Sequence, residues 1–339
     1  MTKIKLISLC LLFILSVTLI GCGMNSADRK KVAVSMANSS DIWQRNGETI
    51  KNTLQAEGFI VDLQFADTAD EQAKTVRQMI DNNPGCLVIG AVDSGALTEV
   101  LKDAKEKNIP VIAYDRLLMD TDAVSYYVSF DNEAIGEAIG EYIEAALDLK
   151  SGAGSYNIEF FAGDAADNNA HLYFDGTMKI LKPYLANGQL ICPSAQTSFE
   201  QVTVKDWNPV NAKTRMEHIY VEHYSEGAPL NVIIAPNDNV ANGIISVLDG
   251  VYEGATPIIT GQDADKIALD NIAAGKQTVT VYKNPADLAA KCVGMVKAVA
   301  DGTTPEINDV TTYNNNVMVV PCYLCIPYLI DKDNLGMVR

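Results

Sequence analysis

From residue 31 onward, short runs rich in β-branched residues alternate with longer amphipathic stretches. VAVSM (32–36), FIVDLQF (59–65), CLVIG (86–90) and VIAYD (111–115) have the length and composition of strands bounded by turns. Between them, QAKTVRQMI (72–80) and ALTEVLKDAKEK (96–107) repeat apolar residues at helical spacing. Apolar strand runs separated by helices predict a parallel sheet covered on both faces. After SYYVSF (125–130) and a helix over 131–147, the glycine-rich SGAG (151–154) opens a second series: NIEFFA (157–162), QLIC (189–192), NVIIA (231–235), PIIT (257–260) and TVTVY (278–282). The pattern predicts an α/β protein of two Rossmann-like units, each with a parallel sheet.

Ligands of open parallel sheets sit beyond the carboxyl ends of the strands. Those positions carry Asp115 and Arg116; Asp164, Asp167, Asn168 and Asn169; Asn237 and Asp238; Gln262 and Asp263; and Lys283. They are carboxylates, amides and cations, with few hydroxyl nucleophiles. Each hydroxyl of a neutral polyhydroxylated ligand is donor and acceptor at once, and is satisfied between a carboxylate and a guanidinium, amide or ammonium group. Trp43, in NSSDIWQRNG (38–47), and Trp207, in KDWNP (205–209), stand among polar residues. That setting suits stacking on the apolar C–H face of a sugar better than filling a core.

A net charge of −17 over 339 residues argues against nucleic acid and against adhesion of the folded body to anionic lipid. Residues 1–22 read as a targeting segment: Lys3 and Lys5, then the apolar run 6–20, then Gly21 and Cys22. LIGC (19–22) resembles the bacterial lipobox, which implies lipidation of Cys22, and 23–30 reads as a tether. Of the five further cysteines, Cys86 is expected in the core, Cys192 and Cys292 carry no motif, and Cys322 and Cys325 (CYLC) lie between prolines, where free or structurally paired thiols are expected rather than redox or metal chemistry. HIYVEH (218–223) spaces its histidines too widely for a zinc pair on one helix face, and DKDNLG (331–336) breaks off before completing a calcium loop. No metal or cofactor is expected.

Taken in order, VIAYDR (111–116), SFDN (129–132), DNNA (167–170), MKILKPY (178–184), WNP (207–209), Asn237 with Asp238, Ser246, GQDA (261–264), VYK (281–283), Thr312 with Tyr313 and VVP (319–321) resemble the type I periplasmic sugar-binding proteins of ABC transporters, in their xylose-binding and multiple-sugar-binding branch. The resemblance covers essentially the whole chain from residue 31. It implies two α/β lobes joined by three crossovers, one of 31–131 plus 284–313 and the other of 132–283 plus 314–339, with a monosaccharide in the cleft. It implies Asp115 and Arg116 as hydroxyl-binding groups of the first lobe, and Asp167, Asn169, Asn237, Asp263 and Lys283 as their counterparts. Trp43 and Trp207 would bracket the pyranose. The expected product is a lipid-anchored, monomeric, non-enzymatic receptor that closes on a xylose-, glucose- or galactose-type aldopyranose and hands it to an ABC permease; a receptor presenting its closed form to a histidine-kinase ectodomain reads the same. One position departs. Relatives often carry Arg directly before the first tryptophan, where this chain has Ile42. Either Arg45 reaches in from two residues beyond the tryptophan, or the cleft takes sugars lacking the group that arginine binds.

Local readings compete with these roles. One of Asp167, Asn168 and Asn169 is expected to cap the following helix, and Asp238 is the stronger cap of its pair, which favours Asn237 as the ligand-facing residue. Asp131 and Asn132 read as hinge or cap. Paired carboxylates would also serve a secreted glycoside hydrolase, but Arg116 and Lys283 are expected to keep Asp115 and Asp263 ionised, whereas a glycosidase acid needs a raised pKa.

Overall fold

A computed structural model describes residues 29–38 and 41–338. The expected targeting segment and Cys22 lie outside them.

Strands β1 (Lys31–Met36), β2 (Ile60–Phe65), β3 (Cys86–Ile89), β4 (Val111–Tyr114) and β5 (Val124–Phe130) pair in parallel in the order β5–β4–β3–β1–β2. Every residue of β3 and β4 is buried, so their uninterrupted apolar runs reflect a sheet covered on both faces rather than a half-exposed ribbon. The covering helices on this side are α1 (Asp41–Ala56), α2 (Ala69–Asp81) and α3 (Thr98–Glu106). Thr68 and Glu71 start α2 with a capping box, each side chain accepting from the other's backbone N–H.

The chain then crosses into α4 (Asn132–Ala146), capped by Asp131, whose side chain accepts from Ala134 N. β6 (Tyr156–Phe160), β7 (Leu190–Ile191), β8 (Val232–Ile234) and β9 (Ile258–Ile259) form the second parallel sheet, ordered β7–β6–β8–β9. Its helices are α5 (Asn168–Ala186), α6 (Pro209–Ile219), α7 (Asp238–Val251) and α8 (Lys266–Ala274). β10 (Val279–Tyr282) flanks β9 through single bonds, Thr278 N to Ile259 O at 3.0 Å and Val281 N to Gly261 O at 3.2 Å. From there α9 (Pro285–Asp301) returns to the first sheet and packs against α1.

The last part of the chain differs from the expected division at residue 314. β11 (Cys322–Cys325) pairs in parallel with β5, and so extends the first sheet. Only after it does β12 (Tyr328–Asp331) run antiparallel to β10. The final passage between the sheets therefore falls after Cys325. Tyr313, which is buried, packs against Tyr127 with ring centroids 5.3 Å apart and holds the segment before β11 on the first sheet. Cys86, Cys192, Cys292, Cys322 and Cys325 are free, and burial pushes the Cys322 thiol up to about 12 and that of Cys325 to about 11, so the CYLC pair is protonated and inert at neutral pH.

The first turns or caps of α1, α5, α6, α7, α8 and α9 all border one cavity. Helix N-termini carry partial positive charge and unpaired N–H groups, so this border favours oxygen-rich and anionic groups.

Candidate functional site

The cavity measures about 320 Å³, at the lower end of small-molecule sites. Trp43, Asp115, Arg116, Asp167, Asn169, Trp207, Asn237, Asp263 and Lys283 all line it, the seven polar ones as the strand-end rule anticipates. Trp43 and Arg116 belong to the first sheet's elements, and Trp207 and Asp167 to the second's.

Asp115 follows β4 with φ of 61°, a left-handed conformation that costs a non-glycine residue. Its own backbone holds it there. Its N–H donates to Val128 O at 2.8 Å, and its carbonyl oxygen accepts from Tyr127 Oη at 2.7 Å, Ser129 Oγ at 2.8 Å and Asn169 Nδ2 at 2.9 Å. Arg116 is fixed by Nη1 donating to Ala91 O at 3.0 Å and Val92 O at 2.9 Å. Its Nε lies 2.8 Å from Asp167 Oδ2, an ion pair whose N–H is not directed along the hydrogen-bond line, and its Cζ stands 5.4 Å from the Trp43 ring centroid.

Asp167 proves to be the cap of α5, with Oδ1 accepting from Asn169 N at 2.9 Å while Oδ2 meets Arg116. Asn237 rather than Asp238 caps α7, accepting from Val240 N at 3.0 Å, which corrects the expected assignment. The reason is that Asp238 is wholly buried behind the cavity, where it accepts from Thr280 Oγ1, Gln277 Nε2 and Asp265 N. Asn237 still lines the cavity, and its cap is made through Oδ1. Asp263, also left-handed with φ of 98°, pairs with Lys283, Oδ1 to Nζ 3.1 Å.

Electrostatics adjust one expectation. Burial raises the Asp115 carboxyl above its ordinary value and outweighs the opposing pull of Lys283 and the weaker one of Arg116. Burial lowers Lys283, but Asp263 and Asp115 outweigh it, so its ammonium is held charged. Burial, reinforced by Asp263, pushes Asp238 up to about 8.

Arg45 is exposed and does not line the cavity, while Ile42 does, together with Pro285 and Leu288 of α9. With Trp43 in the first turn of α1, the helical repeat puts Ile42 and Asn46 on the cavity side and carries Arg45 to solvent. Two further buried amides line the cavity: Asn46, 7% exposed, which was not expected, and Gln262, 5% exposed, a strand-end position without an expected ligand role. Among the described residues the Asn46 side chain makes no hydrogen bond, and Gln262 Oε1 is buried without a partner. Spacing could have found Asn46, one helical turn after Ile42. Trp207 Nε1 is likewise buried and unpartnered. Unsatisfied polar atoms around a cavity mark where a hydrogen-bonding ligand would be used. Among the described residues no cluster of His, Cys, Asp or Glu could hold a metal ion.

Comparison with known proteins agrees with this architecture. A periplasmic binding protein domain model matches residues 32–304. The chain is 39% identical, over 92% of its length and 90% of the relative's, to the multiple sugar-binding periplasmic receptor ChvE of Rhizobium radiobacter. It is 33% identical, over 91% of its length and 90% of the relative's, to the D-xylose-binding periplasmic protein of Escherichia coli K12. An ABC transporter solute-binding protein from Clostridium phytofermentans, solved with bound β-D-glucose, superposes with a TM-score of 0.88 at 38% identity, covering 91% of this chain and 96% of that one.

Proposed function

The chain belongs to the periplasmic binding protein family, and from that premise we propose that it is an extracytoplasmic receptor that captures one aldopyranose, of xylose, glucose or galactose type, for an ABC importer. The observation that carries this reading is the meeting, in one cavity, of a tryptophan from each half with paired carboxylates and cations at the strand ends. Flat apolar ring faces between indoles and hydroxyls between Asp–Arg or Asp–Lys pairs match the two kinds of surface a pyranose presents.

In this reading Asp115, Arg116, Asp167, Asn169, Asn237, Asp263 and Lys283 share the sugar hydroxyls, and Trp43 and Trp207 stack on the ring. Capture proceeds by hinge closure of two lobes, one built on each sheet, and a membrane permease recognises the closed form. Contacts already join the halves at the cleft: Ser94 N donates to Ala166 O at 3.1 Å, and Asn169 donates to the Asp115 carbonyl. A lipid on Cys22 would tether the receptor to the membrane.

The reading is of a receptor and not a hydrolase. Asp167 and Asp263 are each ion-paired, which leaves Asp115, whose carboxyl pKa is raised by burial, without a second free carboxylate to complete the pair a glycosidase uses. A thermal-shift panel of monosaccharides tests the proposal, since a cleft ligand stabilises the folded state by mass action. A rise in melting temperature with at least one aldopyranose is expected; no rise with any would reject it.

A further inference from the structure

Each tryptophan of the cleft lies against a glycine that follows a central strand. Gly90 comes directly after β3, and a Cβ built on it would stand 2.5 Å from Trp43 Cζ3 and 3.2 Å from Cη2. Gly163 comes three residues after β6, and its Cβ would stand 2.2 Å from Trp207 Cη2, 2.3 Å from Cζ2 and 2.6 Å from Cζ3. All of these atoms belong to the six-membered edge of the indole. Separations this short lie well inside van der Waals contact.

Neither glycine is required by its backbone. Both lie outside the left-handed region, where an L-residue would be strained, so a side chain is forbidden by space alone. Nor can either backbone retreat. Gly90 N donates to Ser35 O at 2.8 Å, and Gly90 O accepts from Gln72 Nε2 at 2.9 Å. Gly163 O accepts from Thr203 Oγ1 at 2.6 Å and from Val204 N at 3.3 Å. With the strand ends pinned, an added methyl group moves the ring, and the ring borders the cavity.

We infer that Gly90 and Gly163 are positioning residues for ligand capture: the missing side chains let the Trp43 and Trp207 rings stand back against the two sheets, and thereby set the thickness of the slot between them. This rests on the sugar-capture reading above. The same device recurs in both halves, on unrelated local sequences, CLVIG and EFFAG. A slot of fixed thickness selects ligands by how far substituents project from the ring plane, a property that hydrogen bonding at the rim does not control.

The experiment is a double-mutant cycle between Gly163→Ala and Trp207→Phe in the full-length protein, read by calorimetric titration with D-xylose and D-glucose and by the thermal midpoint without sugar. Phenylalanine lacks the indole edge that the new methyl group would strike. Gly163→Ala alone is expected to weaken binding about tenfold or more. Trp207→Phe should weaken binding in the natural background, yet restore affinity, the midpoint, or both when added to Gly163→Ala. If Gly163→Ala fails to fold, recovery of a folded protein by Trp207→Phe supports the inference equally. Additive effects, or Gly163→Ala binding as tightly as the natural chain, would overturn it; so would a double variant no better folded than Gly163→Ala. Titration of the natural protein separates the two readings. If it binds neither sugar the capture reading fails, while the glycine–indole coupling is still decided by the midpoints.

Discussion

Arg116 Nε lies 2.8 Å from Asp167 Oδ2, an ion pair that joins the end of β4 in the first sheet to the cap of α5 in the second. Both side chains are largely buried, at 13% and 6% exposure. Arg116 also spans Ala91 O and Val92 O and stands beside Trp43. Truncating one partner of such a pair leaves the other charge underpaired in a low-dielectric cleft. Arg116→Ala is therefore expected to weaken sugar binding by about 2–5 kcal/mol in calorimetric titration. An affinity within twofold of the natural chain would show that the pair does not serve the ligand.

The two tryptophans should separate into different phenotypes. Trp43 is 7% exposed and belongs to the main core cluster, whereas Trp207 is only partly buried. Trp43→Ala is expected to cost about 3–5 kcal/mol of stability as a core truncation, in addition to affinity. Trp207→Ala should mainly cost affinity, by about 1–3 kcal/mol. Chemical denaturation and titration of both variants check this; equal stability losses would contradict the assignment.

Asn46 and Gln262 are expected to behave as ligand groups rather than as structural ones. Neither side chain stabilises the chain through a hydrogen bond among the described residues, so Asn46→Ala and Gln262→Ala should leave the sugar-free midpoint unchanged or slightly raised. Each should weaken sugar binding by about 1 kcal/mol. A large loss of sugar-free stability in either variant would make that residue structural.

Asp238 predicts a pH dependence. Its folded pKa, pushed up to about 8 by burial, exceeds the ordinary value of 3.8, so the folded chain keeps a proton that the unfolded chain releases. The stabilisation is fully present below the unfolded pKa and is lost as pH rises through about 8. The melting midpoint should thus fall between pH 5 and pH 8, and Asp238→Asn, which has no proton to lose, should flatten that part of the profile. The bound is about 6 kcal/mol for the whole shift. An unchanged profile in the variant would assign the slope to other groups.

The position before Trp43 separates the two readings of the missing cation. Arg45 is exposed and outside the cavity, so Arg45→Ala should change sugar affinity by less than about 0.5 kcal/mol. Ile42→Arg, which introduces a cation into the cavity lining, should alter the rank order of sugars. An affinity lost with Arg45→Ala would mean that Arg45 reaches the ligand after all.

Much of this was legible in the sequence for a physical reason. Short β-branched runs such as CLVI and VIAY between turn signals fit strands buried on both faces, and the chemistry of a parallel sheet collects at its carboxyl ends, so the seven polar candidates converge there with the two tryptophans. What failed depended on context beyond the local pattern. CYLC joins the first sheet because of its pairing with β5, which no local pattern encodes. Asn237 rather than Asp238 caps α7 because Thr280 and Gln277, about forty residues away, hold the aspartate buried. Between the two alternatives at Ile42 the sequence alone could not choose, because the helical register that sends Arg45 to solvent and brings Asn46 inward follows from where α1 begins.

Calorimetric titration of the natural protein with D-xylose, D-glucose and D-galactose bears most directly on the central claim. At least one of the three should bind with one site per chain and with an affinity that Arg116→Ala sharply reduces. No detectable binding of any of them, or binding indifferent to Arg116, would contradict the assignment of this cleft as a sugar receptor.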